Sequence, residues 1–133
     1  MTGALLETAS TSARRGRWHR VCRIMDLEPG WGEAAIVGDR QVALIRLPGA
    51  DTAADPDGLV TAVSHRDPAT GAHVMARGIV GSREVDGEER PTLASPLHKE
   101  VYDLLTGRCY TNEGLALETY PVRVRDGVIE VQV

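Results

Sequence analysis

The sequence predicts an all-β fold, a sandwich or small barrel of short antiparallel strands. Three observations carry that prediction. Short alternating or β-branched runs recur with Gly, Pro, Asn and Asp between them, the pattern of strands joined by tight turns. Asp126-Gly127 stands between two period-2 runs, the strongest short-range hairpin signal. No apolar period of a helix is sustained over a useful window, and no internal repeat is present.

In chain order, residues 1–16 are rich in Thr, Ser, Ala and Gly and read as a flexible leader, with a short helical stretch near Ala4–Ala9. Residues 17–133 read as one β domain. Trp18 to Arg23 alternates enough for a first strand, and Glu28-Pro29-Gly30-Trp31-Gly32 is a turn. Ala34 to Val37 and Gln41 to Leu47 flank Gly38-Asp39-Arg40, a hairpin whose Gly and Asp accept positive φ. Pro48 to Gly58 holds two Pro, two Gly and three Asp and is a loop. Leu59 to Val63 is a strand. A first polar loop, Asp67-Pro68-Ala69-Thr70-Gly71-Ala72, follows. Gly78 to Val85 and Thr92 to Ala94 are the arms of a longer hairpin that turns at Asp86 to Arg90. A second loop, Ser95-Pro96-Leu97-His98, precedes a short strand, Val101 to Leu104, and a Thr106-Gly107 turn. Asn112 to Leu117 is the one helical candidate of the domain. Val122 to Arg125 and Ile129 to Val133 form the final hairpin, with Val122, Val124, Ile129, Val131 and Val133 pointing inward.

A chain of 133 residues can bury one core without disulfides or a structural metal. With two Trp, three Tyr and no Phe, that core must be built from Val, Leu, Ile and Ala. The formal net charge of -4 argues against nucleic acid as a partner, and the basic run Arg14, Arg15, Arg17, Arg20 and Arg23 reads as a solvated end of the leader. Cys22 and Cys109 have neither disulfide-framework nor zinc spacing and read as two buried free thiols. Nothing resembles a signal peptide or a membrane span, so a soluble cytoplasmic protein is expected.

Few residues suggest chemistry by themselves. Asp67, Ser95 and His98, with His65 and His73 flanking, are the candidate metal set, but serine is a poor ligand and no close ligand pair is present, so exposed polar loop residues are the preferred reading. Ser95 and His98 lack the orienting acid and the Gly-x-Ser-x-Gly context of a hydrolytic nucleophile. Asp51, Asp55, Asp57 and Gly58 lack the spacing and closing Glu of a calcium loop. Asp67 has a plain structural use, since an Asp before Pro accepts backbone N–H groups two or three residues on, while Pro68 fixes φ and Gly71 takes φ > 0. No catalytic residue is assigned.

The two loops resemble the ligand loops of a Rieske domain, Cys-Pro-His-x-Gly-Ala and Cys-Pro-x-His. Asp67 stands at the first Cys, Ala69 at the first His, Ser95 at the second Cys, and only His98 is kept. Over residues 18–133 the chain is most similar to the small subunits of assimilatory NAD(P)H-dependent nitrite reductase (the NirD family). The specific likeness lies in Asp67-Pro68-x-x-Gly71-Ala72-x-Val74-Met75-x-Arg77-Gly78-Ile79-Val80-Gly81, Ala94-Ser95-Pro96-Leu97 and Tyr120-Pro121-Val122-Arg123-Val124. The resemblance implies a Rieske-like antiparallel β-sandwich of small sheets with two loops converging at one end. It implies an accessory subunit without an iron–sulfur cluster of its own, supporting a large subunit that carries FAD, siroheme and a [4Fe-4S] cluster and reduces nitrite to ammonium. In a Rieske domain the loop tip docks on a redox partner, so Arg66, Pro68, Met75, Arg77, Leu97, His98 and Lys99 are the expected partner-binding residues. A stand-alone redox or mononuclear metal protein, and an interaction module of another oxidoreductase, are the alternative readings.

Overall fold

The computed structural model describes residues 16–48 and 59–133. The leader before Gly16, with its Ala4–Ala9 stretch, and the Asp51, Asp55, Asp57 and Gly58 loop lie outside the described residues. Ten strands form among the described residues: β1 (Trp18–Arg23), β2 (Gly32–Val37), β3 (Arg40–Arg46), β4 (Val60–Ser64), β5 (Ile79–Val85), β6 (Glu88–Ala94), β7 (Val101–Asp103), β8 (Thr119–Tyr120), β9 (Val122–Arg125) and β10 (Val128–Gln132). They build three antiparallel sheets in the orders β9-β10-β1, β2-β3-β4-β8 and β5-β6-β7.

The four-stranded sheet is the centre, because β3 is buried on both faces. Val42 and Leu44 join Val60, Ala62, Ile129 and Val131 in one apolar cluster. Ala43 and Ile45 join Val63, Met75, Leu93 and Tyr102 in a second cluster. An unbroken apolar run, Val42 to Ile45, suits a strand covered on two sides. The β9–β10 hairpin closes the first cluster: Ile129 and Val131 are fully buried, while Val122, Val124 and Val133 pack half-buried against it. Asp126-Gly127 and Asp86-Gly87 both have positive φ at the two central residues, as a type I′ turn requires.

Several expectations are corrected. Asn112 to Leu117 is not helical: the Asn112 side chain accepts the Gly114 N–H at 2.9 Å and fixes a turn instead. The β5–β6 turn has two residues rather than five, since β6 already starts at Glu88. Strand β2 begins at Gly32, inside the expected turn, and β8 had not been foreseen. Leu59 precedes its strand and is exposed, and Leu104 lies in the turn after β7. Cys109 is buried, but Cys22 is only half-buried.

Candidate functional site

The two loops join β4 to β5 and β6 to β7, and they share one construction. In the first, the Asp67 N–H donates to the Ala72 carbonyl at 2.7 Å and the Gly71 N–H donates to the Asp67 carbonyl at 2.7 Å. The Asp67 carboxylate accepts the Ala69 N–H at 2.8 Å. In the second, the Ser95 N–H donates to the Glu100 carbonyl at 2.9 Å and the Lys99 N–H donates to the Ser95 carbonyl at 3.0 Å. The Ser95 hydroxyl accepts the Leu97 N–H at 3.2 Å. The fifth residue of each loop is left-handed, with φ 81° at Gly71 and φ 58° at Lys99. A third loop after β7 repeats the plan. Asp103 bonds Arg108 and Gly107 through its backbone and the Leu105 N–H through its carboxylate, and Gly107 has φ 81°.

The first two loops meet through side chains. The Ser95 hydroxyl donates to the Asp67 carboxylate at 2.6 Å, and both residues are fully buried. The expectation of exposed polar residues therefore fails for Asp67 and Ser95: they form the joint between the loops. Burial pushes the Asp67 pKa up, but the hydrogen bonds from Ser95, the Ala69 N–H and Thr70 outweigh it and hold the carboxyl below its ordinary value. Beneath them lies Tyr102, whose buried hydroxyl has no hydrogen-bond partner among the described residues. Burial first, then Cys109, Asp67 and Glu100, pushes its pKa up to about 12.

His65 is also structural. Its Nδ1 accepts the Ala76 N–H at 3.1 Å, and its carbonyl accepts the N–H groups of Val74 and Met75 at 2.9 and 3.0 Å. Burial, followed by His73 stacked at 6.2 Å and by Arg77, lowers its pKa and keeps the imidazole neutral. Arg66, Ala69, His73, Arg77, Leu97, His98 and Lys99 are exposed at the loop surface, and Pro68 is half-buried. Met75 is a correction to the expected partner-binding set. It is fully buried in the cluster of Ile45, Leu93 and Tyr102 and offers nothing to a partner.

Sequence reasoning missed the Asp103 centre. Asp103 is 1% exposed, and its carboxylate accepts two bonds from Arg90 at 2.8 and 3.2 Å and one from the Tyr110 hydroxyl at 2.6 Å. It also accepts the Leu105 and Thr106 N–H groups at 2.7 and 3.0 Å. Burial raises its pKa, and these partners together hold it well below the usual carboxylate range. The signal was a five-residue Asp-x-x-Thr-Gly that occurs twice, at Asp67 to Gly71 and Asp103 to Gly107, too short to stand out as a repeat of structural units. In both copies the Thr hydroxyl accepts the N–H two residues on, from Ala72 and from Arg108, at 3.2 Å.

The chain matches the model of the Rieske-like [2Fe-2S] domain over residues 17–132. The nitrite reductase (NADH) small subunit of Salmonella typhimurium is 34% identical over 116 residues, spanning 87% of this chain and 97% of that protein. The chain belongs to the family of nitrite reductase small subunits. A crystal structure assigned as an NADH-dependent nitrite reductase small subunit of Mycobacterium tuberculosis is 37% identical, covers 90% of this chain and 97% of that one, and superposes with a TM-score of 0.76. The nitrite reductase [NAD(P)H] large subunit of Klebsiella oxytoca is 29% identical over 114 residues, which is 86% of this chain but 11% of that protein.

A Rieske cluster takes two thiolates on one iron and two imidazoles on the other. The residues that the loop likeness sets at those positions, Asp67, Ala69, Ser95 and His98, hold no sulfur and one imidazole. Asp67 and Ser95 are already bonded to one another, so these residues do not fit the cluster. Among the described residues no three His, Cys, Asp or Glu side chains stand close enough to hold a metal ion.

Proposed function

We propose that this chain is an accessory, non-catalytic small subunit of a cytoplasmic NAD(P)H-dependent nitrite reductase that binds the large subunit through its loop tip and carries no cluster. The observation that carries this reading is the Ser95–Asp67 hydrogen bond of 2.6 Å. It joins the loops at the positions where a cluster-binding domain needs two thiolates, so the tip keeps its shape without iron. The Klebsiella oxytoca relative supports the partner, because there a segment similar to this chain lies within the large-subunit polypeptide itself. FAD, siroheme and a [4Fe-4S] cluster then belong to the large subunit, and the small subunit contributes a rigid docking surface that needs little ordering on association.

Co-expression with the large subunit tests the reading. The wild-type chain is expected to co-purify and to support nitrite-dependent NAD(P)H oxidation. Replacing Arg77 and Leu97 together by Asp should abolish co-purification while the variant remains folded by circular dichroism. An intact complex from the double variant would overturn docking through the tip, and stoichiometric iron in the purified small subunit would overturn the accessory role.

A further inference from the structure

The tip differs in charge from the rest of the molecule. The chain has a formal net charge of -4, yet Arg66, Arg77 and Lys99 lie exposed on the two loops with His73 and His98 beside them. Residues 65–78 and 95–100 contain two carboxylates, and neither faces outward freely. Asp67 is buried against Ser95, and Glu100 accepts the Thr111 hydroxyl. Elsewhere Arg40, Arg90 and Arg123 are paired with Glu118, Asp103 and Glu130, while Arg17, Arg23 and Arg125 are exposed without an ion pair among the described residues, so what sets the tip apart is its lack of an outward carboxylate. Among the described residues, Arg66, Arg77 and Lys99 have no ion pair. Leu97, two residues before Lys99 on the same loop, is 52% exposed.

Lys99 adds an independent observation. Its loop position is left-handed, and the matching positions of the two sister loops are Gly71 and Gly107. Glycine adopts that conformation without steric penalty, whereas a residue with a Cβ is disfavoured there. The loop therefore carries a lysine where its own construction favours glycine, and the side chain makes no ion pair within the described fold. Strain of this kind collects where a side chain serves a ligand or partner.

We propose that the tip docks on an acidic, carboxylate-bearing patch of the large subunit that surrounds an apolar socket for Leu97, and that Lys99 is kept in its strained position to reach that patch. The proposal rests on the tip-docking reading above and adds the chemistry of the partner surface. Unpaired cations on a rigid surface speed encounter with an anionic face and lose that advantage as salt rises. The exposed apolar residue instead governs how long the complex lasts.

The test is stopped-flow association of the purified small and large subunits across a series of NaCl concentrations. The wild-type association rate is expected to fall steeply with salt. Lys99→Gly should be at least as heat-stable as wild type, associate about threefold to tenfold more slowly at low salt and show a shallower salt dependence. Leu97→Ser should dissociate faster with the salt dependence unchanged. A salt-independent wild-type rate, or wild-type kinetics for Lys99→Gly, would overturn the acidic patch. If the Arg77→Asp, Leu97→Asp double variant still loses the complex in that case, tip docking stands and only the patch chemistry falls. If that variant binds normally, the docking reading itself falls.

Discussion

The Ser95 hydroxyl and the Asp67 carboxylate are both out of contact with water, so each is the other's replacement for solvent. Ser95→Ala removes the donor and leaves a buried carboxylate short of one bond. Chemical denaturation should show a loss of about 1.5–3 kcal/mol, the range for a hydrogen bond to a charged group. Asp67 and Asp103 also set the acid limit of the fold. Both carboxyls are held below their ordinary values in the folded state. A depressed folded pKa adds stability that is present above the unfolded value, about 3.9, and is lost as pH falls through the folded value. The urea midpoint should therefore decline from about pH 4 downward, and Asp103→Asn should lower the midpoint at neutral pH while flattening that decline. At this scale the sequence was partly legible. The Asp-Pro turn chemistry of Asp67 was readable because it is local. Its bond to Ser95 was not, because the partners lie 28 residues apart and only the fold unites them. The depth of Met75 was hidden for a related reason, since methionine suits both cores and interfaces.

Among the connecting elements, two glycines with the same backbone conformation should respond very differently to substitution. Gly107 has φ 81°, and a Cβ there would lie 1.9 Å from the Leu117 carbonyl oxygen. Gly87 has φ 80° with no atom of the described residues within 4 Å of such a Cβ. Gly87→Ala should cost only the left-handed penalty, about 1–2 kcal/mol. Gly107→Ala adds a collision with backbone that cannot yield, and should leave little soluble folded protein on expression. Comparing soluble yield and thermal midpoint for the pair checks this. The β9–β10 hairpin was the most legible element, because Asp126-Gly127 between alternating runs fixes both turn and register. The first half of β6 was not legible. Glu88, Glu89 and Arg90 read as a polar turn, but they pair with Val85, Glu84 and Arg83 on the opposing strand. Asn112 to Leu117 misled in the other direction, because helix-compatible residues yielded to one asparagine side chain closing a turn.

For the molecule as a whole, the all-β class followed from turn spacing, and the loop tip followed from a family likeness rather than from composition. The three-sheet arrangement became clear only from β3, whose two faces divide the core into two clusters. The Klebsiella oxytoca relative suggests a test at this scale. Joining this chain to the large subunit by a flexible linker raises the effective concentration of the docking partner to the millimolar range. The fused protein should reduce nitrite with NAD(P)H at least as fast as the two separate chains. The same linker should partly restore activity to the Arg77→Asp, Leu97→Asp variant, read as nitrite-dependent loss of nicotinamide absorbance. The oxygen-to-oxygen joint of Asp67 and Ser95 has one more consequence, concerning oxidants. Thiolates climb a ladder of oxidation and nitrosylation products, and each rung changes their size and charge. A hydroxyl and a carboxylate stand outside that ladder. In a subunit of an enzyme that reduces a nitrogen oxyanion, the joint between these two loops thus offers no sulfur to attack.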